Sequence, residues 1–101
     1  MVNSANQGDI IILEDKNIPL LVVSKNIFNE TGQVLVCPII NNKTNSPIHV
    51  YIEGRTVVGE VYCEQIRHLD IVCRRYRRID EIGLNKIMPI TDIIQGLVDY
   101  I

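Results

Sequence analysis

Short apolar runs separated by polar turns fill the first eighty residues, and only the last stretch changes period. After a loose polar lead-in, Met1 to Gln7, Gly8-Asp9 opens Ile10-Ile11-Ile12-Leu13, an unbroken apolar run that predicts a strand buried on both sides. The polar turn Glu14 to Asn17 separates it from Ile18-Pro19-Leu20-Leu21-Val22-Val23-Ser24, so the two runs predict a hairpin, with Pro19 tolerated at the start of its strand. Lys25 to Asn29 reads as one helical turn or loop, Glu30 to Gln33 as a turn, and Val34-Leu35-Val36-Cys37 as a third strand that Pro38 ends. Residues 41–47 read as a mobile flap rather than a chemical site. Ile48-His49-Val50-Tyr51-Ile52 alternates, placing His49 and Tyr51 on the face away from the core. A turn over Glu53 to Thr56 leads to a strand over 57–63, and a last strand runs from Asp70 to Ile79. Ile87, Ile90, Ile94, Leu97, Val98 and Ile101 then recur at threes and fours. This predicts a C-terminal helix with Ile90, Ile94, Leu97 and Val98 inward, Asn85 near its N-cap and Pro89 in its first turn.

Composition supports a mainly β domain. The chain has 101 residues, 47% of them hydrophobic, with no Trp and one Phe, so its core is built from Ile, Leu and Val. That length predicts a single domain over 1–101 with no room for a second lobe. The net charge of −2 hides an uneven distribution. Residues 64–78 hold five of the ten basic groups against two acids, a local +3 that leaves −5 elsewhere. Such a strip attracts a polyanion or an acidic peptide, or it is simply an exposed strand face. Cys37, Cys63 and Cys73 form no CxxC pair and no metal-ligand spacing, and they read as reduced core residues. No signal peptide or membrane-spanning run is evident, so the expected compartment is the cytoplasm, with no metal, cofactor or membrane partner.

The candidate chemistry gathers where the strand over 57–63 breaks. Glu64, Gln65, Arg67, His68 and Asp70 fall within seven residues. A carboxylate or imidazole can move protons while a guanidinium holds phosphate oxygens, so the cluster suits an anionic substrate. A solvated loop closed by surface ion pairs is the alternative reading of the same residues.

The order of these features resembles the MazF/PemK/Kid family of toxin ribonucleases. The matching pieces are Gly8-Asp9-Ile10, Pro19 to Ser24 with Asn26 and Asn29, Val34 to Pro38 with Ile39, and Pro47-Ile48-His49-Val50. Most specific is Gly59 followed by Glu64-Gln65-Ile66-Arg67-His68-Leu69-Asp70, similar to that family's acid-Gln-Ile-Arg-Thr-Leu-Asp segment. The resemblance implies a small SH3-like antiparallel β-barrel with a C-terminal helix, shared with the gyrase poison CcdB. It further implies a homodimer that binds single-stranded RNA, cuts it without metal through the ribose 2′-hydroxyl, and is covered by an antitoxin protein. On this reading Glu64 is the general base and Arg67 the phosphate clamp, while Gln65, His68, Lys16 and Asn41 contact substrate. His68 is also a candidate acid.

Three departures from the family pattern weaken that expectation of activity. Ile18-Pro19 stands where the family usually has Arg-Pro, and Pro38-Ile39-Ile40 where it has Pro-Ile/Val-Thr/Ser. The loop between the first two strands is short. Loss of one preorganised donor typically costs ~10²–10³ in rate, so weak or lost cleavage is expected. A non-catalytic barrel that binds an antitoxin-like peptide or nucleic acid is therefore the competing reading. Gyrase poisoning is disfavoured, because the terminal tryptophan signature of CcdB is absent.

Overall fold

The structure, a computed structural model, describes residues 5–98. Met1 to Ser4 of the expected lead-in, and Ile101 of the expected helix face, lie outside the described residues. Ala5 to Gln7 are tied down rather than loose. The buried Asn29 side chain donates from Nδ2 to the carbonyls of Ala5 and Ser24, both at 3.0 Å, and the Gln7 amide donates to Asn26 Oδ1 at 2.7 Å. A buried amide must find partners for its polar atoms, and Asn29 finds them by drawing this segment in.

Among the described residues the strands are β1 (Asp9–Leu13), β2 (Leu20–Val22), β3 (Gln33–Ile40), β4 (His49–Glu53), β5 (Val58–Tyr62), β6 (Arg67–Asp70) and β7 (Tyr76–Glu81). The short helix α1 (Asn26–Asn29) links β2 to β3, and α2 (Leu84–Val98) closes the described chain. The strands form one antiparallel sheet in the order β4-β5-β3-β2-β1-β7, with β6 also on β3. β3 is the long central strand. Its end at Ile39 and Ile40 pairs with β5, and its beginning, Gln33 to Val36, pairs with β6. Thus β5 and β6 are one run along β3, interrupted by a single 3-10 turn at Cys63–Gln65.

The unbroken apolar runs bury both faces, as their pattern requires. Ile10, Leu21, Cys37, Ile39, Val61, Ile87 and Ile90 form one core cluster under α2, while Ile11, Val22, Val34, Val36 and Ile71 form a second on the opposite face. Alternation along each strand deals successive residues to the two clusters.

The sequence expectations need correction at several places, the first being the third strand, which Pro38 does not end: it runs on to Ile40, and Ile39 and Ile40 pair with β5. The strand expected over 70–79 divides into β6 and β7, because Asp70 Oδ1 accepts the Val72 amide at 3.0 Å and turns the chain at once. β6 itself escaped the hydrophobic pattern because Arg67, His68 and Asp70 are exposed on it, and only Leu69 is partly buried. In α2, Leu97 and Val98 are exposed, and Ile87 and Ile90 supply the buried face, with Ile93 and Ile94 packed beside them. The Gly83 carbonyl accepts the Lys86 and Ile87 amides at 3.0 and 3.2 Å, so the helix starts at Leu84. Asn85 therefore lies inside the helix and Pro89 in its second turn, on an exposed side.

The sheet is not closed by backbone pairing: β4 and β7 are its free ends. A side chain spans the gap instead. Asp80 of β7 accepts the amides of Thr56 and Val57 on Oδ2, at 2.8 and 3.0 Å, at the tip of the β4–β5 hairpin, and Thr56 Oγ1 donates to the Ile79 carbonyl at 2.9 Å. A Cβ on Gly54 would overlap the Asp80 carboxylate, so glycine is what lets the two ends meet. Burial raises the proton affinity of Asp80, but bonds from the Thr56, Glu81, Val57 and Arg55 amides outweigh it and hold the carboxyl at about 2. Because the folded value lies below the ordinary 3.8, this stabilisation is present above pH ~4 and is lost as pH falls toward 2. Asp80→Ala orphans these buried amides and is expected to lower stability by ~2–3 kcal/mol in urea melts at neutral pH. An unchanged midpoint would show that the seam carries no load.

Candidate active site

Directly opposed residues in an antiparallel pair share a face, so the register states which side chains meet. On the face of β4 and β5 away from α2, His49 stands opposite Tyr62 and Tyr51 opposite Glu60, while on β3 Ile40 stands opposite Glu60. The β2–β3 register pairs Leu20 with Pro38, and the Pro19 carbonyl accepts the Ile39 amide at 2.9 Å. Ile18 stands at the bend just before this pairing, at the end of β3 that carries Ile40. One row therefore runs Ile40, Glu60, Tyr51, with His49 and Tyr62 beside it.

The segment between β3 and β4, expected to be a free flap, lies on this face and supplies chemistry. Thr44 is anchored by its amide and hydroxyl to the Glu60 carboxylate, with the hydroxyl at 2.9 Å from Oε1. The same hydroxyl is 2.7 Å from His49 Nδ1. On its other side His49 Nε2 lies 3.0 Å from both oxygens of Glu64, and its ring stacks on Tyr62 at a centroid distance of 3.7 Å. Asn42 Nδ2 donates to the Tyr62 hydroxyl at 3.3 Å.

The Glu64 carboxylate accepts on the Nε2 side, and the Thr44 hydroxyl, with its single hydrogen, stands between Glu60 Oε1 and Nδ1. His49 is thereby held with Glu64 on one side and the Thr44–Glu60 pair on the other. Its side chain is 8% exposed, whereas that of Glu64 is 34% exposed and so open to a ligand. Burial pushes the Glu64 carboxyl up, but the His49 hydrogen bond and charge, with a backbone amide, bring it below the usual carboxylate range. The result is an ionised acceptor at the surface with a proton donor touching it, the two components of general acid–base chemistry.

The residues singled out in the sequence divide around this centre. Glu64 is part of it. Arg67 stands opposite Val36 on β6, which by alternation places it on the Ile40–Glu60 face, and it makes no ion pair among the described residues. His68, one residue on and opposite Leu35, belongs to the face that carries α2. Gln65 is exposed beside Glu64, Asn41 is exposed in the tight turn closed by the Asn42 amide on the Ile40 carbonyl, and Lys16 is exposed in the β1–β2 turn. No side-chain hydrogen bond or ion pair joins these three to His49 or Glu64 among the described residues. The basic strip is largely offset: Arg74 approaches Asp15, Arg75 approaches Glu14, and Arg78 pairs with Asp9 and Glu81. Cys37 and Cys63 are buried as expected and Cys73 is exposed. Burial pushes the first two thiols to about 12 and about 11, aided by the nearby Glu64 charge, so they stay protonated.

His49, Thr44, Glu60 and Tyr62 did not emerge from sequence reasoning as site residues. Alternation does place His49 on the outward face, and a hairpin centred on Glu53 to Thr56 does bring it opposite Tyr62. The Thr44 contact carries no local signal.

Residues 6–97 match the sequence profile of the PemK-like, MazF-like toxins of type II toxin–antitoxin systems. No curated protein sequence matches the chain. Among solved structures, a chain of the MazE–MazF complex from Deinococcus radiodurans superposes with a TM-score of 0.86 at 23% identity, covering 97% of this chain and 99% of that one. An endoribonuclease from a mycobacterial species gives 0.82 at 19% identity, covering 98% and 95%. A mycobacterial endoribonuclease in complex with its cognate antitoxin gives 0.76 at 18% identity, covering 99% and 98%. At these identities the likeness is one of fold.

Proposed function

Because the chain belongs to the PemK-like, MazF-like toxins of type II toxin–antitoxin systems, we propose that it is a metal-independent endoribonuclease acting on single-stranded RNA. The observation that carries this reading is the contact between His49 Nε2 and the Glu64 carboxylate. Glu64 takes the proton of a ribose 2′-hydroxyl as O2′ bonds to phosphorus. The P–O5′ bond breaks, and O5′ takes the Nε2 proton of His49. The products are a 2′,3′-cyclic phosphate and a 5′-hydroxyl, with no further reactant needed. Arg67, on the same face and without an ion pair, holds the phosphate. Gln65, Asn41 and Lys16 lie at the surface as further RNA contacts, while His68, on the face that carries α2, takes no part in the proton transfers. The acid limb of the rate profile falls below the usual carboxylate range, because the Glu64 carboxyl is lowered.

In this reading the protein acts in the cytoplasm, as a homodimer restrained by an antitoxin. No helix among the described residues is long and apolar enough to cross a membrane. Leu84 and Met88 leave apolar surface on α2 together with Leu97 and Val98, which supports pairing of two copies. Sedimentation at micromolar concentration is expected to show twice the 11.5 kDa chain mass, and a species of single mass would remove the dimer. For the chemistry, slow cleavage of unstructured RNA in EDTA, with cyclic-phosphate ends, is the expected result. The competing reading of a non-catalytic binding module rests on the apolar pair Ile18 and Ile40. It prevails if RNA binds and no cyclic phosphate forms.

A further inference from the structure

Glu60 is a charged residue on the strand beside Gly59, and it is only 7% exposed. A buried carboxylate is costly unless its oxygens are satisfied, and this one is satisfied by Thr44 through the amide and the hydroxyl. Its Oε1 also stands 3.7 Å from His49 Nδ1. A staple for the segment between β3 and β4 would need only the two Thr44 bonds. The additional contact of the Thr44 hydroxyl with Nδ1, at 2.7 Å, goes beyond that need. Tyr62 covers one face of the ring and Glu64 meets Nε2. The groups facing His49 are therefore Thr44, Glu60, Tyr62 and Glu64, and each restrains it from a different direction.

We infer that Glu60 and Thr44 are positioning residues for the His49 acid. Thr44 fixes the ring with Nε2 toward the substrate side, and the Glu60 charge, passed through the Thr44 hydroxyl, keeps both ring nitrogens protonated. This places a cation on the face where Ile40 supplies none. The inference rests on the proposed endoribonuclease reading for its effect on rate, but the geometry it asserts concerns the ring alone.

The test uses the full chain in two variants, Glu60→Gln and Thr44→Val, with Thr44→Ser as the rescue. Glutamine keeps an acceptor for Thr44 and removes the charge. Ring 15N spectra of His49 at about pH 7 are expected to show both nitrogens protonated in the wild type and in Thr44→Ser. A neutral tautomer is expected to grow in Glu60→Gln and Thr44→Val. In RNA cleavage, kcat is expected to fall ~10–100-fold in those two variants with KM within about twofold, and the alkaline limb of kcat/KM to move to lower pH. Identical ring spectra in all four proteins would overturn the inference. If the spectra change as stated while no protein cleaves RNA, the positioning stands and the endoribonuclease reading fails.

Discussion

Glu64→Gln is expected to lower RNA cleavage by ~10²–10⁴-fold and His49→Gln to the same depth, with the double variant little worse than either single one. The equality follows from the contact between them. Glutamine at 64 cannot accept the 2′-hydroxyl proton, and it also withdraws the anion that faces Nε2. Glutamine at 49 has no transferable proton, and it also leaves Glu64 without the hydrogen bond that lowers its carboxyl. Neither substitution falls in the clusters under α2 or on the opposite face, so the fold should survive and the melting curves stay close to wild type. The check is release of cyclic-phosphate ends from single-stranded RNA in EDTA. Retention of activity within about threefold in either single variant would remove the couple from the mechanism.

Activity should also be recoverable. Ile18→Arg together with Ile40→Thr is expected to raise cleavage by ~10²–10³-fold, the range that one preorganised donor commonly supplies. The register sets Ile40 opposite Glu60, and Ile18 stands at the bend before β2, so in the proposed reaction the phosphate meets isoleucine where developing negative charge needs donors. Ile18 is 48% exposed, so an arginine there keeps its hydration and displaces no core packing. Ile40 is only partly buried, and shortening it to threonine costs about 1 kcal/mol. Adding Glu64→Gln to this background must abolish the gain. A double variant no faster than wild type would show that the apolar pair is not what limits the reaction.

Strands β1 to β3 were legible as apolar runs bounded by polar turns, though not where β3 ends, and β4 by its alternation, with β5 following from the turn after it. β6 was not, since its stability comes from pairing with β3 while its own side chains face water. The helix pattern of α2 was correct in period, but period alone cannot say where the sheet beneath the helix ends, and Leu97 and Val98 extend beyond the buried face. At the site, Glu64 and Arg67 were visible as polar residues ending an apolar strand. Glu60 was hidden, because its burial depends on Thr44, sixteen residues earlier in the chain. That contact is created by a loop whose path no local periodicity encodes.

The way the sheet is fastened sets the β4–β5 hairpin apart. The hairpin holds to β3 by two residue pairs, at Ile39 and Ile40, and at its tip to β7 by the Asp80 carboxylate. These are few backbone attachments beside the long β1–β7 ladder, and the rest of its hold is apolar, through Ile52, Val57 and Val61 in the cluster under α2. His49, Glu60 and Tyr62 all ride on that hairpin. Acid that protonates Asp80 takes the charged acceptor from its tip, at the opposite end of the hairpin from His49 and Tyr62.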